Sequence, residues 1–183
     1  MTPATWLLVL LSLAIVGLVA CSQHGEPPVT KAMIAHGKYL VTAMGCGDCH
    51  SPRDSHGRVI PGKEFSGHPA DAPLPSWEPA LLSQHTQAPI GSTRTAFAGR
   101  FGISFAANLT PDLETGIGRL TPLALMQSWR TGRHWQEDRQ GLPPMPVDVF
   151  KHLSDADVRA IHAYLMALAP VRNEVPKAHV VVE

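Results

Sequence analysis

Apolar residues are distributed along this chain in several distinct rhythms. Trp6 to Ala20 (WLLVLLSLAIVGLVA) is an apolar run of fifteen, inside a stretch of twenty-three residues without a charged side chain. That is the length of a long signal-peptide core and short of the ~20 residues needed to span a bilayer. Beyond it, Met33, Ile34, Tyr39, Leu40 and Val41 recur at loosely helical intervals within Thr30 to Met44, with Thr30 able to cap the start. A second helix is signalled by Thr121 as cap and Pro122 at the first position, with Leu123, Met126 and Trp129 on one side before Gly132 stops it. In the third, Ser154 caps and Asp157 occupies the capping-box position. Val158, Ile161, Leu165 and Leu168 then keep helical spacing until Pro170 ends the run. Strict alternation over several long segments is absent, so the pattern predicts an all-α fold. Between the helical stretches, Ser66 to Arg100 carries Pro73, Pro75, Pro79 and Pro89 among polar intervals and reads as a long, loop-rich surface insertion, functional or ornamental.

Composition narrows the picture. The 183 residues hold 15 Lys+Arg against 15 Asp+Glu, a formal net charge of zero that implies no nucleic-acid or other polyanion partner. Three cysteines exclude a disulfide-dense scaffold. The expected organisation is a signal peptide over 1–20, a modified cysteine and tether over 21–29, one domain over 30–175 and a tail over 176–183. Leu18-Val19-Ala20-Cys21 resembles the lipobox of bacterial lipoproteins, which makes Cys21 the expected lipid anchor. The first basic residue is Lys31, whereas a signal n-region carries Lys or Arg. An uncleaved 1–23 segment acting as membrane anchor therefore stays open as the alternative. SQHGEPPV after Cys21 is polar with a Pro-Pro pair and reads as a short extended tether.

The sharpest motif is Cys46-Gly47-Asp48-Cys49-His50, because Cys-x-x-Cys-His is the attachment sequence of c-type haem. Two thiols at that spacing reach two vinyl groups of one porphyrin, and the adjacent histidine sits under the iron as proximal ligand. A dithiol redox pair and half a zinc site are the competing readings. Zinc needs two more ligands and no cysteine follows Cys49, while a thioredoxin-like dithiol sits in a βαβ pattern rather than after a helix. For a distal ligand, Met145 stands apart from the other methionines. It lies in Gly141-Leu142-Pro143-Pro144-Met145-Pro146, where three prolines hold the backbone extended. A histidine outside the motif and tether (His36, His56, His68, His85, His134, His152 or His162) is the alternative second ligand. Arg130 and Arg133 are candidates for the haem carboxylates, or for solvated surface positions.

With these residues in view, the chain resembles a mono-haem class I c-type cytochrome, closest to the cytochrome c domains and subunits of bacterial membrane-bound dehydrogenases. Three blocks carry the likeness: Gly37-Lys38-Tyr39-Leu40 running into Gly45 to His50; Asn108-Leu109-Thr110-Pro111-Asp112 with Glu114-Thr115-Gly116-Ile117-Gly118; and Met145-Pro146 through Leu153 to Val158, Ala163-Tyr164-Leu165 and Ala169-Pro170-Val171. The resemblance implies a class I cytochrome c fold, helices around one covalently bound haem c. Cys46 and Cys49 would be the covalent attachments, His50 and Met145 the iron ligands, and the helices around Gly37 and Tyr164 would cross. Leu120 departs from it, replacing the aromatic residue usual before the second helix cap, and the 95 positions from His50 to Met145 make the chain long for the family. The expected function is that of a membrane-tethered one-electron carrier on the bacterial periplasmic side. It would work between a dehydrogenase or quinol-linked donor and an oxidase or reductase acceptor, as an electron-transfer protein rather than an enzyme. The alternative is a haem protein with accessible iron, serving as a gas sensor or a peroxide-reactive enzyme.

Overall fold

A computed structural model describes residues 27–73 and 88–180. The chain divides into residues 1–30, of which 27–30 are described and carry no regular structure, and a unit over 31–183. The expected signal peptide, Cys21 and most of the expected tether lie outside the described residues.

The second unit is helix-dominated, with helices α1 (Lys31–Ala43), α2 (Cys46–His50), α3 (Pro122–Thr131), α4 (Val147–Phe150) and α5 (Asp155–Met166). The local signals operate as the sequence predicts. Thr121 Oγ1 accepts from the Ala124 amide at 3.1 Å, and Gly132 ends α3 in the left-handed region at φ 72°. Ser154 Oγ accepts from the Asp157 amide at 3.1 Å and donates to the Asp157 carboxylate at 2.7 Å. Ser154 thus satisfies one of the amides that a helix start leaves without a partner.

Helices α1 and α5 cross where Gly37 lets them. A Cβ built on Gly37 would lie 1.9 Å from the Ala160 carbonyl oxygen and 2.9 Å from Tyr164 Cβ, so the backbones touch at a spacing that only hydrogen permits. His36 Nε2 donates to Asp157 at 2.8 Å beside this crossing, and those hydrogen bonds from Ser154 and His36 hold the Asp157 carboxyl below the usual carboxylate range. The core formed against this pair contains Val41, Leu109, Ile117, Leu125, Met126, Trp129, Phe150, Val158, Ile161 and Leu165. Arg130 fastens the end of α3 to the start of α5. Its guanidinium donates to the carbonyls of Lys151 and Leu153 at 2.9 and 2.6 Å and to Asp155 at 2.9 Å. Arg133 pairs with Asp138.

The structure adds a sheet that the all-α expectation did not contain. Strands β1 (Ala88–Ile90), β2 (Ala96–Gly99), β3 (Gly102–Phe105) and β4 (His179–Val180) form one antiparallel sheet in the order β1-β2-β3-β4. The 66–100 stretch is therefore more than surface excursion, since Ser66, His68, Thr95, Ala96, Phe97 and Ala98 are all buried. Strands of two to four residues are too short to show a period of two, and β2 is buried throughout, so its burial does not alternate. The insertion is also fastened to the C-terminal segment. Asn173 Nδ2 donates to the carbonyls of Ser66 and His68 at 2.7 and 2.8 Å, and its Oδ1 accepts from the Ala70 amide at 2.9 Å.

Candidate functional site

Helix α2 is a single turn opened by Gly45 in the left-handed region at φ 68°. It places Cys46 and Cys49 three residues apart on one face with His50 closing the turn. Both thiols are unpaired and half-buried. Burial pushes the Cys46 thiol up to about 11, and Cys49 is raised by burial and by the neighbouring Asp48. Reactive dithiol pairs depend on the opposite shift, toward a stabilised thiolate. Among the described residues no group of three or more His, Cys, Asp and Glu side chains converges, so the further ligands of a closed zinc site are not beside these thiols.

His50 is buried, 8% exposed, and its Nδ1 donates to the Ala107 carbonyl oxygen at 2.8 Å. That bond fixes the tautomer: Nδ1 carries the proton and Nε2 keeps its lone pair for another partner. Burial lowers the pKa of the ring, with the Ala107 bond opposing, so the neutral imidazole is favoured. The Ala107 carbonyl is held from behind. The Gly67 amide donates to the His50 carbonyl at 2.8 Å, the His68 amide donates to Ala106 O at 2.9 Å, and a Cβ on Gly67 would fall 2.6 Å from the Ala107 carbonyl carbon. Gly67, at φ 77°, is thus the contact through which the insertion supports the histidine.

Met145 sits between Pro144 and Pro146 in a loop whose Pro143–Pro144 peptide is cis. Ser104 Oγ of β3 donates to the Pro143 carbonyl at 2.7 Å, and the Gly141 amide donates to Gly132 O at 2.7 Å. The sheet and the end of α3 therefore both hold this loop. Half-buried Met145, Cys46, Met44, Phe65, Ala107, Leu120 and Trp135 all pack against the same apolar core, so the fold brings the Cys46 turn and the Met145 loop to one cluster.

Next to that cluster is a cavity of about 570 Å³ lined by Leu113, Glu114, Gly116, Arg119, Leu120, Ala124, Trp135 and Gln136. Its volume falls within the ~300–1,000 Å³ range of small-molecule and cofactor sites. Leu120 and Trp135 belong to both cavity wall and apolar cluster. Trp135 Nε1 is buried without a hydrogen-bond partner. A porphyrin needs two thiols, an imidazole with a free nitrogen, apolar walls and donors for its carboxylates, and the residues present fit it. Arg130, spent on Lys151, Leu153 and Asp155, is not among those donors. The sequence carried no sign of the Ala107 carbonyl, because a main-chain acceptor has no residue signature.

The Asn108 block is architectural. Asn108 is 3% exposed, its Oδ1 accepts from the Thr110 amide and hydroxyl at 3.0 and 2.7 Å, and its Nδ2 donates to the Val171 carbonyl at 2.8 Å. It ties the loop next to Ala107 to the chain after α5. Asn108→Ala should lower stability by about 2 kcal/mol, because the buried Thr110 amide loses its acceptor and the Val171 carbonyl one of its donors. Urea unfolding of the variant against the parent measures this, and equal midpoints would refute the network's role.

No protein-family model matches the chain. Among curated proteins it is similar to the alcohol dehydrogenase (quinone), cytochrome c subunit, of Gluconobacter oxydans, at 27% identity over 169 residues, 89% of this chain and 28% of that protein. The fructose dehydrogenase cytochrome subunit of Gluconobacter japonicus is 26% identical over 169 residues, 90% of this chain and 28% of that protein. A nicotinate dehydrogenase subunit of Pseudomonas putida is 42% identical over 76 residues, 42% of this chain and 6% of that protein. The chain spans less than a third of the length of these relatives. Similarity across nearly the whole chain to two subunits named as cytochromes supports a cytochrome c-type electron-transfer subunit.

Proposed function

From that similarity and the geometry around His50, we propose that the chain is a mono-haem class I cytochrome c that passes single electrons between a dehydrogenase or quinol-linked donor and an oxidase or reductase acceptor. Cys46 and Cys49 would attach the haem covalently, and His50 Nε2 and the Met145 thioether would hold its iron. The observation that carries the reading is the buried His50 imidazole, committed through Nδ1 to Ala107 and set beside two unpaired thiols on the same helical turn. The haem supplies a one-electron iron couple. The protein's residues select its potential by ligand type, exclude water from the iron and leave the bond-making chemistry to the partner. The apolar cluster containing Leu120, Trp135 and Met145 performs the exclusion.

The proposal includes placement on the periplasmic side of a bacterial membrane, with Cys21 as the lipid-bearing first residue of the mature chain. Among the described residues no helix is long and apolar enough to cross a membrane. Attachment would accordingly reside in the N-terminal segment, and Cys21→Ser should release the protein from the membrane fraction.

The deciding experiment is the absorption spectrum of the reduced full chain, produced with haem-attachment machinery, before and after carbon monoxide. A covalent haem spectrum indifferent to carbon monoxide is the expected result, with both axial positions filled. A rapid shift would replace the carrier with a gas-binding or peroxide-reactive protein, and no haem band would overturn the haem reading altogether.

A further inference from the structure

Residues 65–68 and 106–109 bracket His50 from the side of the insertion, and Ala106 in that bracket is held by both of its main-chain groups. Its amide donates to the Thr95 carbonyl at 2.8 Å, and its carbonyl accepts from the His68 amide at 2.9 Å. The side chains of those two partners also meet, with His68 Nδ1 lying 2.9 Å from Thr95 Oγ1. Thr95, Ala106 and His68 thereby close a circuit of three hydrogen bonds, and they are 0%, 6% and 2% exposed. Bonds sheltered from water in this way are stronger than exposed ones. Burial lowers the pKa of the His68 ring and keeps it neutral. His68 Nε2 is buried without a partner, so the tautomer that leaves only a lone pair unmet carries its proton on Nδ1, with the Thr95 hydroxyl accepting. That hydroxyl lies 2.9 Å from Thr93 Oγ1, and the Phe105 ring packs on His68 at a centroid distance of 4.8 Å.

The circuit adjoins His50 on both sides. The next carbonyl along the chain, that of Ala107, accepts from His50 Nδ1 at 2.8 Å, and the residue before His68, Gly67, donates its amide to the His50 carbonyl at 2.8 Å. The β2–β3 register ends at Ala96 opposite Phe105. The Thr95–Ala106 bond extends that ladder by one step, and the His68 side chain fastens its end.

We propose that His68 and Thr95 are positioning residues for His50: their side-chain bond locks Ala106 and so aims the Ala107 carbonyl at His50 Nδ1, setting how much electron density the imidazole can give to iron. This rests on the haem reading above. A firmly held acceptor on Nδ1 makes the imidazole more basic and favours ferric iron, so the lock lowers the reduction potential. The insertion then acts on the potential through His50.

The test uses the full-length holoprotein and opens the lock from either side. Thr95→Val loses the hydroxyl and keeps the shape, and His68→Phe keeps a ring and loses Nδ1. Thr95→Ser, which retains the hydroxyl, is the rescue. In the reduced protein, solvent exchange of the His50 ring N–H, followed by NMR, should be about five- to thirtyfold faster in both opened variants, while the amides of α5 keep parental rates. The reduction potential should rise in both, and Thr95→Ser should give the parental exchange and potential. Folded variants with parental exchange and potential would overturn the proposal and leave the haem reading standing. Equal acceleration at His50 and throughout α5, or failure of both variants to fold, would assign the pair to general stability and overturn it too. A His68→Phe variant that newly binds carbon monoxide would place His68 on the iron, with the same consequence. A parent chain without haem would overturn both readings.

Discussion

Gly37→Val should lower the stability of the protein by about 3 kcal/mol and its melting temperature by roughly 6–12 °C. Two effects of opposite sign compete at this position. A glycine in a helix interior costs ~0.5–1 kcal/mol relative to alanine, so a side chain at 37 would ordinarily help α1. Here the new Cβ would lie 1.9 Å from the Ala160 carbonyl oxygen, which belongs to backbone and cannot rotate away. The α1–α5 pair must separate, and Val41, Val158 and Ile161, each at most 1% exposed, would lose contacts with it. A β-branched replacement also forfeits the helix-propensity gain. Calorimetry of the variant is the check. A melting temperature equal to the parent's would mean that the helices yield at no cost and that their crossing does not depend on glycine.

Met145→Ala should leave the protein folded, open the iron to carbon monoxide and lower the reduction potential by a sizeable part of the ~0.8 V range that axial ligands command. The thioether is half-buried and projects from a loop held by Ser104 and Gly141 through main-chain bonds, so removing the side chain leaves those supports in place. A thioether donates weakly and favours ferrous iron, so its loss moves the couple toward the ferric state. Carbon monoxide difference spectra and a redox titration measure the two effects separately. Parental results in both would remove Met145 from the iron and return the distal position to the histidines. Among these, buried His68, whose Nε2 lacks a partner, is the residue to replace next.

The chemical core of the site was legible in the chain because its information is local. Cys46, Cys49 and His50 lie within one helical turn, and the prolines around Met145 and the caps at Thr121 and Ser154 act over one to four residues. Side-chain type and spacing therefore specified the Cys46, Cys49 and His50 grouping, the principal helices and the proline-flanked Met145 loop. What the sequence left open depends on atoms far apart along the chain. The Ala107 carbonyl that selects the His50 tautomer lies 57 positions away and carries no side-chain signature. The sheet went unread because strands of two to four residues acquire their register from partners, β4 from β3 across more than seventy residues, and not from a period of their own. Arg130 does not take the role that its residue type suggested. A guanidinium near a site is an anion donor only if the fold leaves it free, and Arg130 is consumed by the α3–α5 junction. The burial that strands the Trp135 N–H beside a cavity is a property of the packed chain. Local spacing determined which side chains stand together as candidates for the proposed haem, while tertiary packing decided which polar groups keep a free valence, because hydrogen-bond satisfaction is settled only when distant segments are brought together.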